Sequence, residues 1–258
     1  MVELEKLHRH CLEILILRFM MIEDAQNFYG IYYEGGKMDN RFSPKNTTVI
    51  ICCAGMGTRL GIGTTKALID IEGKPLIIRL LEQLNQYDDI RIVVGFDYER
   101  VIKTVQSYRK DIMFVFNYDY KTTGTIESLR RALKCARDIV ITLDGDVILN
   151  EKDFQYFLQY ENECIAVAQN ASNEPIFADV INGQVVHLEK YESEGDFQWS
   201  GITKISRDKL LEFETERHEY DLLNRFMPLE ACIVSLKEVN TQEDYESALS
   251  WFKNKLDQ

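Results

Sequence analysis

Positive charge is scarce in this chain: 30 lysines and arginines stand against 42 aspartates and glutamates in 258 residues, a formal net charge of −12. A surface that grips nucleic-acid phosphates relies on many Lys and Arg contacts, so that class of partner is excluded and any bound phosphate needs a local cationic pocket. Metal-spaced cysteines are lacking as well. Cys52 and Cys53 adjoin in one apolar run, and Cys11, Cys135, Cys164 and Cys232 are scattered, so all six read as reduced core thiols. No apolar run is long enough for a bilayer. The most apolar segment, 12–22, contains Glu13 and Arg18 and falls well short of the ~20 residues that a span requires. The opening MVELEKLHRH mixes both charge signs and no cleavage-site pattern follows it, which predicts a cytosolic protein. Internal repeats and low-complexity stretches are absent too.

What is present is a hydrophobic content of 45%, enough to fill one catalytic domain. Leu4, Leu7, Cys11, Leu15 and Met21 recur at helical spacing and predict an amphipathic helix, which is followed by a linker marked by Gly35, Gly36, Asp39, Asn40, Ser43 and Pro44. The expected division is therefore 1–46, helix and linker, and 47–258, catalytic domain. From Thr48 the apolar runs TVIICC, IRIVVG, IMFVF and IVITL alternate with the helical stretches PLIIRLLEQLNQ, YERVIKTVQSYRK and TIESLRRALKCARD. Strands alternating with helices predict an α/β fold with a doubly wound, mostly parallel sheet. After Asn150 the alternation loosens into IAVAQ, PIFADVI, QVVHLEK, SGITKIS and ACIVSL, where an acceptor-binding half is expected.

Two patterns carry chemistry. The first is CCAGMGTRLGIGTTKALIDI, which sets Gly55, Gly57, Gly61 and Gly63 directly after the first strand, with Arg59 and Lys66 supplying positive charge. At the carboxyl edge of an α/β sheet, glycines let backbone N–H groups approach phosphate oxygens closely. A dinucleotide fingerprint does not fit, since position 60 is Leu and no strand-ending acid follows about 20 residues on. A Walker loop does not fit either, because Lys66 lies between Thr65 and Ala67. A ligand-free glycine turn is the remaining alternative. The second pattern is Asp144-Gly145-Asp146 at the end of IVITL, where two carboxylates at spacing two suit Mg²⁺, which takes one or two carboxylates and completes its shell with phosphate and water. A solvated acidic turn is the alternative there.

With these residues, and with GMGTRL…TKALIDIEGKPLI in particular, the chain resembles the nucleotidyltransferases that activate sugar phosphates and phosphocholine. The resemblance spans roughly 47–252 and does not reach the N-terminal helix. It implies a Rossmann-like mixed sheet with that helix added, and a nucleotide site at Ala54, Gly55, Gly57, Thr58 and Asp144. Asn117, Thr123, Gly124 and Ser128 would surround base and ribose, although Thr123 and Thr125 also suit helix capping. It further implies that Asp146 holds the catalytic Mg²⁺, that the second metal ligand falls on Asn240 where the family has an aspartate, and that Lys190, Trp199 and Gly201 meet the acceptor. Thr65 also departs from the pattern, since the family usually places proline before the lysine.

The implied reaction is in-line attack of an acceptor phosphate oxygen on the α-phosphorus of a nucleoside triphosphate, with pyrophosphate leaving. Such a step needs placement and charge neutralisation from Arg59, Lys66, Asp146 and Lys190 rather than a protein nucleophile. The short segment from Leu60 to Lys66 resembles the phosphocholine and inositol-phosphate cytidylyltransferases, which favours CTP and a role in decorating a surface polysaccharide or lipid. A UTP-dependent sugar-1-phosphate transferase and a non-catalytic nucleotide sensor stay open as alternatives. The expected partners are the two substrates, without nucleic acid or a membrane span, and the N-terminal helix would serve as a homo-oligomerisation element, a docking platform for a partner or a cover over the catalytic domain.

Overall fold

The computed structural model describes residues 40–57, 63–169, 175–191 and 196–256. The expected N-terminal helix lies outside the described residues. The end of the expected linker lies within them and packs on the domain: Thr47 Oγ1 donates to the Ser43 carbonyl at 2.8 Å, and Arg137 reaches the Pro44 carbonyl at 3.1 Å.

Nine strands of the described residues form one sheet: β1 (Thr47–Cys53), β4 (Ile90–Val94), β5 (Met113–Phe116), β6 (Ile139–Asp144), β8 (Cys164–Ala168), β9 (Phe177–Ile181), β10 (Gln184–Glu189), β11 (Phe197–Ser206) and β12 (Leu229–Ile233), in the order β5-β4-β1-β6-β11-β8-β12-β10-β9. The runs TVIICC, IRIVV and IVITL are buried on both faces because helices cover both sides, and continuous apolar strands without alternation follow from that burial. Parallel pairing holds across β5-β4-β1-β6 and between β8 and β12. From β6 onward the other neighbours are antiparallel, and a further pairing of β9 with β11 closes the five strands β11-β8-β12-β10-β9 into a ring. The sheet is thus mixed, and the expectation of a mostly parallel one holds only for its first half. The physical reason is connection length. Parallel neighbours need a crossover, whereas β9 and β10 are joined by Asn182-Gly183 alone, both at positive φ (51° and 76°), the two-residue turn whose twist matches a hairpin.

The helices α1 (Leu76–Gln83), α2 (Tyr98–Tyr108), α3 (Thr125–Ala132) and α4 (Glu151–Gln159) appear where the periodicity places them, with ends set by distant partners. Pro75 precedes α1 as its N-cap instead of occupying the first turn. The run TIESLRRALKCARD stops being helical at Ala132, where Arg91, only 4% exposed on β4, donates to the carbonyls of Ala132, Lys134 and Cys135. Lys204 does the same for α4. Fully buried on β11, its ammonium donates to the carbonyls of Phe157, Leu158 and Tyr160 at 2.8–2.9 Å. These are the orphan acceptors of a helix end, and burial of the lysine lowers its pKa to about 8. Lys204→Met is expected to lower unfolding free energy by about 3–5 kcal/mol, since it leaves three buried carbonyls without a donor. Urea denaturation measures this, and a loss under ~1 kcal/mol would mean that water replaces the ammonium.

The short antiparallel pair β2 (Asp70–Ile71) and β3 (Lys74–Pro75) stands outside this sheet, and two further short strands position the site. The strand β7 (Val147–Leu149) pairs antiparallel with β13 (Leu236–Glu238), matching Val147 with Glu238, and Val239 donates to the Asp146 carbonyl at 3.0 Å. This ladder brings a segment from late in the chain onto the Asp144-Gly145-Asp146 turn.

Candidate active site

The parallel strands deliver their carboxyl ends to one place. Cys52 of β1 lies in register with Asp144 of β6, so the chain leaving β1 (Ala54, Gly55, Gly57) and the chain leaving β6 (Gly145, Asp146) share one edge, and Asn117 follows β5 beside them. Open α/β sheets present ligand crevices at such an edge. A cleft of about 570 Å³ opens there, lined by the β1 exit, Thr65 and Lys66, the Asn117–Ser128 segment, the Asp144–Asp146 turn, His218, Glu238 and Asn240.

Glycine is required at specific points of its wall. Gly57 sits at φ 58°, and a Cβ there would stand 3.0 Å from Lys66 Cγ, so the missing side chain lets the lysine stem pass. Gly145 packs where a Cβ would strike Cys53 Sγ, and its N–H donates to the Cys52 carbonyl at 3.1 Å, which holds the acidic turn against β1. Gly201, at φ 71°, faces the Asp144 carboxylate so closely that a Cβ would collide with it. Thr65 has φ −67°, the angle a proline would impose, and its hydroxyl donates to the Cys53 carbonyl at 3.2 Å. The departure from proline therefore keeps the same backbone angle and replaces the ring's constraint with a hydrogen bond.

At the centre, Lys66 Nζ donates to Asp146 Oδ2 at 2.7 Å and, through a short contact, to Asn240 Oδ1. Both acceptors are oxygens and both converge on one cationic point. The ammonium thus marks a position where a hard cation would find Asp146 and Asn240 as ligands, and the donor set fits Mg²⁺ with substrate phosphates and water completing the shell. Among the described residues no group of three or more His, Cys, Asp or Glu is arranged to hold a metal. Asn240 is placed by the last described helix, α5 (Gln242–Leu256): Asp244 accepts from the N–H groups of Asn240 and Thr241 at 3.2 and 2.9 Å, while Thr241 Oγ1 accepts from Asp244 N at 3.1 Å, a reciprocal cap. Asp144 stands in a negative neighbourhood. Burial, Asp146, Glu219 and Glu238 push its carboxyl well above the usual range, and Lys66 opposes them. The same surroundings raise the Cys52 and Cys53 thiols, burial first, so both remain protonated.

The expected base-side residues come together. Asn117, only 1% exposed, donates through Nδ2 to Thr123 Oγ1 and Ser128 Oγ, each at 3.1 Å, and its Oδ1 accepts from Asp119 N. Gly124 is the N-cap of α3, without a side-chain cap bond, and a Cβ there would collide with the Arg217 carbonyl. Thr123 instead donates to the Asp119 carbonyl and Thr125 accepts from Glu219 N, so neither hydroxyl caps the helix. Thr58 and Arg59 lie outside the described residues. Lys190 is exposed, with its ammonium 5.9 Å from the Tyr191 ring centroid, and it does not line the cleft. Trp199 does not line it either and is buried, while Gly201 meets it only through Asp144.

Sequence reasoning missed Glu238, His218 and Glu219. Glu238 was signalled by its spacing of two from Asn240, the same spacing that singles out Asp144 and Asp146. Glu219 carried no local signal, because only the fold brings it under Thr142, whose hydroxyl donates to its Oε1 at 2.6 Å. Burial pushes the Glu219 carboxyl from 4.5 up to about 7, and the Thr142 bond, which favours the charged form, offsets only part of this. A raised folded-state pKa gives stability that is complete below the unfolded value and is lost as pH climbs to about 7. Glu219→Gln, neutral throughout, is thus expected to gain on wild type between pH 5 and pH 8, by on the order of 2–3 kcal/mol in urea denaturation. A difference between the two that does not change with pH would contradict the buried titration.

Known proteins are similar to this chain over the same domain. A profile of MobA-like NTP transferase domains matches residues 49–218. The chain is 27% identical over 201 residues to the bifunctional protein GlmU of Methanococcus maripaludis, covering 73% of this chain and 45% of that protein. It is 30% identical over 145 residues to the choline-phosphate cytidylyltransferase of Haemophilus influenzae, covering 54% of this chain and 61% of the relative. The chain therefore spans about half to three-fifths of the length of these relatives. Among solved structures, the inositol-1-phosphate CTP transferase from T. maritima superposes with a TM-score of 0.66 at 15% identity, over 80% of this chain and 95% of that one. The CTP:phosphocholine cytidylyltransferase from Streptococcus pneumoniae gives 0.66 at 22%, over 80% and 99%. At such identities these two establish the nucleotidyltransferase-type α/β fold. No helix among the described residues is long and apolar enough to cross a membrane.

Proposed function

Because the chain belongs to the MobA-like NTP transferase family, we propose that it transfers CMP from CTP to a small phosphorylated acceptor and releases pyrophosphate. The observation that carries this reading is the convergence of Lys66, Asp146 and Asn240 in the cleft, beside the glycines that follow β1. The names of the choline-phosphate and inositol-phosphate relatives, together with the short segment before Lys66, support CTP and a phosphorylated alcohol as the substrates. The product would serve the decoration of a surface polysaccharide or lipid.

In this reading the triphosphate lies along the β1 exit, where backbone N–H groups after Ala54 face its oxygens. Lys66 moves from Asp146 to the phosphates, and Arg59 meets the departing pair. Mg²⁺, held by Asp146 and Asn240, would neutralise charge on the triphosphate. Asn117, Thr123, Gly124 and Ser128 form the base and ribose wall. An acceptor phosphate oxygen attacks the α-phosphorus in line as the bond to pyrophosphate breaks, and no protein atom becomes covalently bound. Lys190 is the proposed contact for an acceptor that extends past the cleft lining, while the buried Trp199 and Gly201, packed against Asp144, would shape the acceptor side from behind.

The test is to incubate the protein with Mg²⁺, each of the four nucleoside triphosphates and a panel of small phosphates, and to identify products by mass. A CMP-linked product is expected. A UMP-linked sugar would favour the uridylyltransferase reading, and bound nucleotide without any product would favour a sensor.

A further inference from the structure

Glu238 has no role in the reaction as drawn, yet it lines the cleft and touches one of its central groups. Its Oε2 accepts from Asn240 Nδ2 at 2.8 Å, while Asn240 Oδ1 accepts from Lys66 Nζ. The two contacts fix the amide in one orientation. Turned over, it would set an NH₂ against an ammonium and a carbonyl oxygen against a carboxylate, two repulsions in place of two bonds. The backbone enforces the pairing. Glu238 ends β13 opposite Val147, Val239 points the other way into the apolar cluster of Ile69, Ile71, Leu76, Ile148 and Ala248, and Asn240 returns to the side of Glu238. Asn240 is neutral, so a carboxylate bonded to it also returns negative charge to that side of the site.

We propose that Glu238 is a positioning residue for the metal site: it holds the Asn240 carbonyl toward Asp146 once Lys66 has left for the phosphates, and it supplies the charge that an amide lacks. The proposal rests on the metal-dependent transfer described above. Partners of this kind, bonded to a metal ligand's far atom, typically change metal affinity by about 10–100-fold when removed.

The experiment reads Mn²⁺ binding in the presence of pyrophosphate by the electron paramagnetic resonance signal of the protein-bound ion, against a protein-free Mn²⁺–pyrophosphate baseline, with thermal unfolding of each variant as the folding control. Glu238→Gln, of the same shape, and Glu238→Ala are expected to weaken Mn²⁺ binding by about 10-fold or more. The exchanged pair E238Q/N240D, in which a side-chain amide donates to a carboxylate at 240, is expected to bind within about 3-fold of wild type. Wild-type affinity in both single variants would overturn the role of Glu238, and so would a loss that the exchanged pair does not repair. A wild-type protein that takes up no Mn²⁺ would overturn the metal reading itself, a result distinct from either.

Discussion

Lys66→Ala is expected to lower kcat by about 10²-fold or more while changing the unfolding free energy by ~1 kcal/mol or less. The lysine and its partner Asp146 are 17% and 21% exposed, so water can solvate the carboxylate when the ammonium is removed, and a pair of this kind adds little to stability. The catalytic loss comes from elsewhere. Gly57 leaves space for the lysine stem, the Thr65 hydroxyl anchors the residue before it, and the ammonium is thereby aimed into a cleft that otherwise gathers Asp144, Asp146 and Glu238. A triphosphate entering this acidic cleft depends on the few positive groups that meet it. Turnover measured beside a urea midpoint separates the two effects, and a kcat within about 3-fold of wild type would remove Lys66 from the mechanism.

Asp146→Asn is expected to abolish metal-dependent transfer, with a fall of about 10³-fold or more in turnover at saturating Mg²⁺. The substitution would place two neutral amides, at 146 and 240, where the ammonium now bridges a carboxylate and an amide carbonyl. Hard cations bind such a pair poorly without a carboxylate. Stability should move the other way, because Asp146 is among the charges that push the Asp144 carboxyl up, and its removal relieves that repulsion. An unfolding midpoint equal to or above wild type, joined to lost activity, is the expected pattern. Turnover that keeps its wild-type Mg²⁺ dependence would place the metal elsewhere.

Much of the molecule was legible before any coordinates, for reasons tied to particular residues. The strands TVIICC and IVITL are legible because burial on both faces calls for near-continuous apolar runs, and the set Ile126, Leu129, Leu133 and Ala136 because all four face the core, although only the first two lie on α3 and the others follow its end. Asp146 and Lys66 were legible because a strand end and a glycine-rich loop are local patterns, and the structure joins them across 80 positions of sequence. What escaped was set by residues distant in the chain. Arg91 collects the carbonyls that end α3 and Lys204 those that end α4, and no local pattern announces either. The β9–β10 hairpin follows from Asn182-Gly183, a two-residue turn between PIFADVI and QVVHLEK, while the other antiparallel pairs of the sheet join strands distant in the chain. Glu219 acts on the site from behind, buried against Thr142 and raising the pKa of the Asp144 carboxyl. Lys190, placed by resemblance alone, came out exposed and beyond the cleft lining, since nothing in QVVHLEK fixes the course of the chain after β10.

Pyrophosphate release from CTP in the presence of Mg²⁺ and phosphocholine or another small phosphate tests most directly whether Lys66, Asp146 and Asn240 form the centre of a nucleotidyl-transfer site. Release that requires both the acceptor and the metal, stops on chelation, and is lost in Lys66→Ala and Asp146→Asn is the predicted result. Pyrophosphate release by either variant at the wild-type rate, or no release by wild type with any of the four triphosphates across the acceptor panel, would contradict it.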